Sequence, residues 1–318
     1  MKVAVVGAGI VGLSAAFALR ERGDDVTVYE RGTPGAAQSG GESRIFRHAH
    51  GDPRLVALAV EARAAWREWE RRFGVELVSG DGSVLLGPAV ERHAALMRAA
   101  GVRVRAISAH PLLGECEGVI DDDGGVIRTR AAIAALVAAL DDRIATDEVV
   151  AVSHDGTVRA GGGSARFERV VVCAGRDTAA LAGGLPVALS THVRLTFPLR
   201  DPAPAQLPCL QDTRHGAYGD PLPGNAHFAV GLGDDPHETV AYVAEHLPGL
   251  VPEPVEERHC HVTELPWGHD GIAVWEAGAA RFIAGSNMFK HAPLLGRALA
   301  AGDLRDELRP EAQLGRGS

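Results

Sequence analysis

Lysine is nearly absent. Lys2 and Lys290 are the only two in a chain of 318 residues, beside thirty arginines in a total of 32 basic side chains. A compact ammonium at position 290 therefore stands out in a protein that writes its fixed positive charge as guanidinium. Cysteine is also scarce. Cys116, Cys173, Cys209 and Cys260 lie far apart with no C-x-x-C pair, which excludes a disulfide framework or a thiolate zinc site and reads as reduced thiols. The fourteen histidines form no H-x-x-H or H-E-x-x-H set, so no metal centre is expected. Excess positive charge is missing too. The net charge of −9 and pI of about 5.9 exclude a field that would hold nucleic acid or an anionic membrane. No apolar run approaches membrane-spanning length. A soluble, cytoplasmic protein is expected, with 46% hydrophobic residues to build one large or two modest domains.

The chain begins "MKVAVVGAGIVGLSAAFALRERG". Lys2 to Val6 reads as a buried strand, Gly7-Ala8-Gly9-Ile10-Val11-Gly12 as a G-x-G-x-x-G turn, and the following stretch as a helix to about Arg20. Three glycines at fixed spacing argue against a secretory leader. Gly7 allows the tight turn, Gly9 close approach of a pyrophosphate, and Gly12 packing of helix on strand. A second strand, Asp25 to Tyr29, ends at Glu30, eighteen residues after Gly12, where a carboxylate would accept the hydroxyls of an adenosine ribose. Strand, turn, helix, strand and acid in register point to a dinucleotide.

A nicotinamide enzyme would continue directly with further βα units. Here the chain enters "AAQSGGESRIFRHAHGDP", then a helix with Asp52 as N-cap and Pro53 in its first turn. Leu55, Ala59, Ala62, Trp66, Trp69 and Phe73 recur on one helical face, so both tryptophans are expected in the core. Later, "RFERVVVCAG" is another buried strand ending in Ala174-Gly175. This layout points to a flavin.

The chain resembles the D-amino-acid-oxidase superfamily of FAD enzymes, most closely its monomeric sarcosine oxidase and glycine oxidase branch. The resemblance rests on the fingerprint through Glu30, "SRIFRHAHGD" (43–52), "VVVCAGRDT" (170–178), and the run from "CHVTELPW" (260–267) through "AGSNMFKHAPLLG" (284–296). It spans nearly the whole chain and is weakest in a shortened middle. It implies an α/β protein, α+β overall: a discontinuous Rossmann-like FAD-binding domain (1–78, 125–185 and 256–318) and a smaller antiparallel β-sheet substrate domain (79–124 and 186–255). The stretches "VRVRAIS", "STHVRLTFPLR" and "HFAVGLG" have the alternation such a sheet needs. "GGVIRTRAAIAALVAALDD" reads as a helix, and "DELRPEAQLGRGS" as a mobile polar tail.

The implied reaction moves a hydride from the carbon beside an amine and a carboxylate to flavin N5. The resemblance assigns Arg47 and Lys290 to the substrate carboxylate and Tyr218 to a substrate-facing hydroxyl. It gives the cofactor Gly7, Gly9, Ile10, Val11, Gly12, Glu30, Arg31, Ser39, Arg44, Ala174, Gly175, Cys260, Gly285, Asn287, Met288, Phe289 and Lys290. Cys260, Thr263 and Pro266 match the pattern around the cysteine that carries an 8α-thioether to FAD in sarcosine oxidases; glycine oxidases have no such bond, and both states stay open. Two departures stand out. Ala229 replaces a lysine that promotes reaction with oxygen, with His227, His48 or Lys290 as substitutes that no spacing separates, and Gly40 replaces a histidine. The partners implied are an amino-acid substrate and O2, in a monomer or small homo-oligomer. An electron-carrier dehydrogenase and a non-catalytic flavoprotein are the alternatives.

Overall fold

Valine-rich runs set the first sheet. The computed structural model describes residues 1–182, 185, 187–201, 206–302 and 304–317; the domain boundary expected at 185/186 abuts residues outside that set. Lys2–Val6 is the centre of a six-stranded sheet. On one side it pairs in parallel with Asp25–Glu30, which in turn pairs with Ile144–Thr146. On the other it pairs with Arg169–Val172, then Ala280–Gly285, with Ile272–Ala277 antiparallel at the edge. Strands buried on both faces read as continuous apolar runs, and Val3, Val5 and Val170 to Val172 are fully buried. Because the parallel strands share a direction, Gly7, Glu30, Ala174 and Gly285 all fall at their carboxyl ends, the edge where such sheets bind ligands.

The second sheet has eight strands, in the order Glu256–Glu264, Ala188–Pro198, His227–Gly231, Ala217–Pro221, Cys209–Asp212, Ser83–Leu86, Gly114–Asp121 and Val104–His110. All neighbours are antiparallel except Cys209–Asp212 beside Ser83–Leu86. Glu256–Glu264 thus pairs along its length with Ala188–Pro198, although the boundary expected at 256 groups it with the nucleotide-binding part. Each sheet has its own core, one around Leu13, Trp66 and Leu295, the other around Phe197, Phe228 and Tyr242.

The helix expected after "GDP" is Pro53–Phe73. Asp52 accepts the Arg54 N–H at 2.9 Å, and Gly74 closes the helix at φ 66°, a left-handed cap that glycine adopts without strain. Trp66 is fully buried and its Nε1–H donates to the Lys290 carbonyl at 2.7 Å. A core tryptophan therefore anchors the turn that carries the lone interior lysine.

Two expectations change. Residues Gly125–Arg128 form a strand paired with Ser43–Phe46, and the helix starts only at Thr129; Val126 and Ile127, on opposite faces of the strand, are both buried. The C-terminal tail is docked. Leu308 and Leu314 are buried, Trp267 Nε1–H donates to the Leu314 carbonyl at 2.9 Å, and Gly315 N–H to Asp52 at 2.9 Å. Among the described residues no helix is long and apolar enough to cross a membrane. Leu314→Ala is expected to cost about 2–5 kcal/mol, as for other buried leucines; an unchanged urea midpoint would restore the mobile tail.

Candidate active site

At the nucleotide end the three glycines differ in what they tolerate. A β-carbon on Gly12 would lie 1.9 Å from the Gly7 carbonyl oxygen, and one on Gly7, at φ 96°, 2.5 Å from the Cys173 carbonyl. On Gly9 it would meet only the Ser39 hydroxyl, at 3.2 Å. Gly9 therefore faces a cradle, whereas Gly7 and Gly12 are pressed into the sheet. The first intrahelical bond of Ile10–Glu21 runs from Leu13 N–H to the Gly9 carbonyl at 2.9 Å. The N–H groups of Ile10, Val11 and Gly12 precede it, a helix start of the kind that suits an anion. Ile10 N–H donates to Ser39 Oγ at 2.9 Å. Glu30 turns back over the loop, its two oxygens accepting from Ala8 N–H (2.8 Å) and Gly32 N–H (2.9 Å). Arg31 points to Asp177 (2.8 Å) and Glu148, just beyond Ala174 and Gly175. Gln38, which sequence reasoning passed over, ties these segments together. It accepts from Arg176 N–H at 2.9 Å and donates to the His261 carbonyl at 2.9 Å.

Where the two sheets meet, Arg44, Arg194, Tyr218, Asp220 and Cys260 gather. Arg44 donates to the carbonyls of Ser43, Gln38 and Gly40. Its guanidinium is pushed down to about 10, first by burial and then by Arg194, with Cys260 opposing. Arg194 pairs with the buried Asp220 and reaches Ser43 Oγ at 3.3 Å. The Tyr218 ring lies over Gly231, where a β-carbon would stand 2.4 Å from it, and burial raises the proton affinity of its hydroxyl, with Arg194 opposing. Ala229 is buried opposite Thr196 and Asp220. His48 is engaged elsewhere: its Nδ1 and backbone N–H both face Asp121 Oδ2 (2.7 and 3.0 Å).

A second cluster forms where the segment after Ser43–Phe46 meets the turn Met288–His291. Arg47, from one end of the chain, and Lys290, from the other, converge there. Between them stand His50 and Asp270, neither of which the motifs singled out. Arg47 donates to Asp270 Oδ2 at 3.3 Å and to the Ala49 carbonyl. His50 Nδ1 is 3.0 Å from the same oxygen, and His50 Nε2 is 3.1 Å from Lys290 Nζ. Asn287 donates to the other Asp270 oxygen. The strongest signal was positional: His50 sits inside "SRIFRHAHGD", and Asp270 four residues after Pro266.

Lys290 is buried, 4% exposed. Burial, and then Arg47, push its proton affinity well below the lysine range, with Asp270 pulling the other way. Burial also lowers His50, reinforced by Lys290 and Arg47. Burial alone would raise Asp270, but Arg47 and the His50 hydrogen bond hold it well below the usual carboxylate range. Tyr218 belongs to the Arg44–Cys260 cluster rather than to this one. The residues fit a flavin dinucleotide on two further counts: the Gly9–Ser39 cradle, and the buried hydroxyls of Thr263 and Ser286, which lack a protein partner and stand beside the two motif segments that frame the site.

The profile of the family described as DAO, FAD dependent oxidoreductase, matches residues 2–301. A 35-residue segment is 57% identical to the D-proline dehydrogenase of Pyrobaculum islandicum, covering 11% of this chain and 10% of that relative. Among solved structures, the open form of NikD, an unusual amino acid oxidase essential for nikkomycin biosynthesis, superposes with a TM-score of 0.81. Identity is 22%, over 96% of this chain and 95% of that one. L-Proline dehydrogenase from P. horikoshii also gives 0.81, at 17% identity over 99% and 95%. At such identities the likeness is one of fold. The crowding around the fingerprint makes a graded prediction. Gly12→Ala should cost at least about 1–3 kcal/mol by overpacking and more than Gly9→Ala; equal thermal melts would contradict the cradle.

Proposed function

The chain belongs to the DAO family of FAD-dependent oxidoreductases, and from that premise we propose that it oxidises the C–N bond of an N-substituted glycine or related amino acid. The observation that carries this reading is the meeting of Arg47 and Lys290, from opposite ends of the chain, in one enclosed polar cluster. The bound flavin supplies the acceptor for a hydride. Everything else is positioning by the protein. Arg47 has five N–H donors; those not directed at Ala49 and Asp270 can take the substrate carboxylate in a planar fork. A fixed carboxylate leaves one α-C–H directed at the cofactor, and that restriction of orientation is the main catalytic benefit. Tyr218 keeps its proton, because burial raises its affinity, and offers a hydroxyl from the Arg44 side. The imine that leaves the α-carbon is hydrolysed by water to an oxo acid or aldehyde and an amine. The two proline dehydrogenases among its relatives act, by name, on an amino acid whose nitrogen is secondary, in keeping with this substrate class.

In the same reading, Gly7 to Gly12 and Ser39 hold the pyrophosphate, and Glu30 with Arg31 the adenosine. Arg44, Ala174, Gly175, Cys260 and the turn from Gly285 through Asn287, Met288 and Phe289 to Lys290 frame the ring. The cofactor domain takes 1–78, 125–185 and 256–318, and the substrate domain 79–124 and 186–255. Oxygen is the proposed acceptor. Ala229 favours an electron carrier instead, because a small apolar residue there provides no charge for developing superoxide.

Anaerobic N-methylglycine or proline is expected to bleach the flavin. Arg47→Lys should lower kcat/KM about ten- to hundredfold, the equivalent of a charged hydrogen bond of roughly 1.5–3 kcal/mol. Failure of every amino acid to bleach it would leave a binding protein, and slow recovery of colour in air would select the dehydrogenase. A thioether at Cys260 would keep the colour in an acid precipitate. It would also leave Cys116 as the one half-exposed thiol, since Cys173, pushed up to about 12 by burial, and Cys209 are enclosed. Colour in the supernatant would exclude the bond.

A further inference from the structure

The cluster around Arg44 and Arg194 holds more positive charge than its own acids balance. Val193, Leu195 and Phe197 face the core of the eight-stranded sheet, so Arg194 and Thr196, alternating with them, face the opposite side. On that side the ladder registers set Tyr218, Gly231, Arg194 and Arg258 in one row. The next row reads Asp220, Ala229, Thr196 and Glu256. Like charges directly across a ladder repel, yet Arg194 and Arg258 stand so. Arg258 is half-buried, and its guanidinium lies against Gly40 and Gly41. A β-carbon on Gly40 would lie 2.8 Å from its Nη2, and one on Gly41 would lie closer still to its Nη1. The Arg44 guanidinium reaches the same place, 2.9 Å from that Gly41 position. Among the described residues Arg258 has no hydrogen-bond or ion-pair partner. Arg194 Nε and Asp220 Oδ2 are likewise buried without one, and such orphaned atoms mark places where a ligand or water completes the bonding.

We propose that Arg258, with Arg194 and Arg44, forms a second anion site, for a carboxylate on the nitrogen substituent of the substrate. The substrate class is then a secondary amine with a carboxylate on each arm, of which iminodiacetate is the simplest. This deepens the amine-oxidising function proposed above and rests on it. Charge decides between one carboxylate and two. In the first cluster three guanidinium groups face the carboxylates of Asp220 and Glu256, the latter accepting from Thr196 Oγ1 at 3.2 Å. In the second, Arg47 and Lys290 share Asp270. Each cluster therefore has one cation in excess. The α-carboxylate held by Arg47 and Lys290 balances the second cluster, and it restores the ammonium that burial and Arg47 disfavour. A substrate with a single carboxylate leaves the first cluster unbalanced, because the oxidised flavin ring is neutral. A dicarboxylate with an uncharged amine balances both. One molecule can reach the two sites. Arg44 and Arg47 are three residues apart on one extended segment, roughly 10 Å of backbone, and their long side chains can close that span. In the reaction the α-hydrogen leaves one arm with its two electrons for the cofactor, the nitrogen loses its proton, and water adds to the resulting C=N bond. The products are a 2-oxo acid and a primary amino acid that keeps the other carboxylate.

Two ether acids read the site without turnover. Diglycolate has both carboxylates of iminodiacetate and an oxygen in place of its nitrogen; methoxyacetate lacks one carboxylate. Titrated against the flavin absorbance of the holoenzyme, diglycolate is expected to bind about ten- to hundredfold more tightly, the worth of one charge-assisted hydrogen bond. That preference should shrink as salt is raised. In turnover, the ratio of kcat/KM for iminodiacetate to that for N-methylglycine should fall by a similar factor in Arg258→Gln. Part of it should return in Arg258→Lys, which keeps the charge but loses the planar fork. Equal binding of the two ether acids by the unaltered holoenzyme overturns the proposal, and this arm needs no variant. So does a ratio that Arg258→Gln leaves unmoved; a lower midpoint potential of the flavin in that variant would then assign the positive charge to the reduced cofactor. If neither amine bleaches the flavin, the proposed function falls, while the diglycolate titration still decides whether a second carboxylate is held.

Discussion

A carboxylate enclosed with two basic groups decides how the rest of the site can be charged. Asp270 accepts from Arg47, His50 and Asn287 at once, so its negative charge is fully engaged inside the protein. Burying a charge without partners is costly, and breaking such an arrangement leaves the survivor unpaired. Arg47 therefore has a fixed orientation before any substrate arrives. The same carboxylate lies 3.0 Å from His50 Nδ1, and the other ring nitrogen of His50 faces Lys290 at 3.1 Å.

That arrangement depends on packing well away from it. Trp66 lies at the heart of the core of the six-stranded sheet unit, and its ring stacks parallel to Phe289 at 6.4 Å. The turn Met288–His291 is thus pinned by a helix that starts at Asp52, which is itself bonded to the C-terminal Gly315. The tail expected to be mobile is docked on this unit through Leu314 and Gly315. At the opposite end, the glycines pressed against the sheet bring the start of Ile10–Glu21 close to Glu30 and Ser39, so the strand ends offer a continuous edge for an extended cofactor.

The eight-stranded sheet is built on different principles. Its strands alternate, and polar residues on one side converge: Arg194 and Asp220 from the strands flanking His227–Gly231, Tyr218 over Gly231, and Cys260 from the outermost strand. Arg258 sits opposite Arg194 across the outer ladder and close to Gly41, so guanidinium groups outnumber carboxylates here. A reduced flavin is more anionic than the oxidised one, and an environment richer in positive charge favours it. The absent lysine at Ala229 is therefore set among cations that belong to other strands.

The sequence by itself determined the nucleotide fold, because its signals are local. A turn needs glycine where a β-carbon would strike a carbonyl, a buried parallel strand needs a run of valine, and a helix start needs an aspartate followed by proline. It also brought Arg47, Lys290 and Cys260 into view, since each lies within a short motif. Only the tertiary structure decided what those residues face. Asp270 lies outside every motif and His50 inside one that did not single it out, the strand Gly125–Arg128 reads locally as the start of a helix, and a polar tail hides two buried leucines. In each case the deciding partner is distant in the chain, and hydrogen bonding and burial act through space. Lys290 is the plainest example: lysine's usual proton affinity follows from its side chain, but the downward push on it follows from burial and from Arg47, far away in the chain.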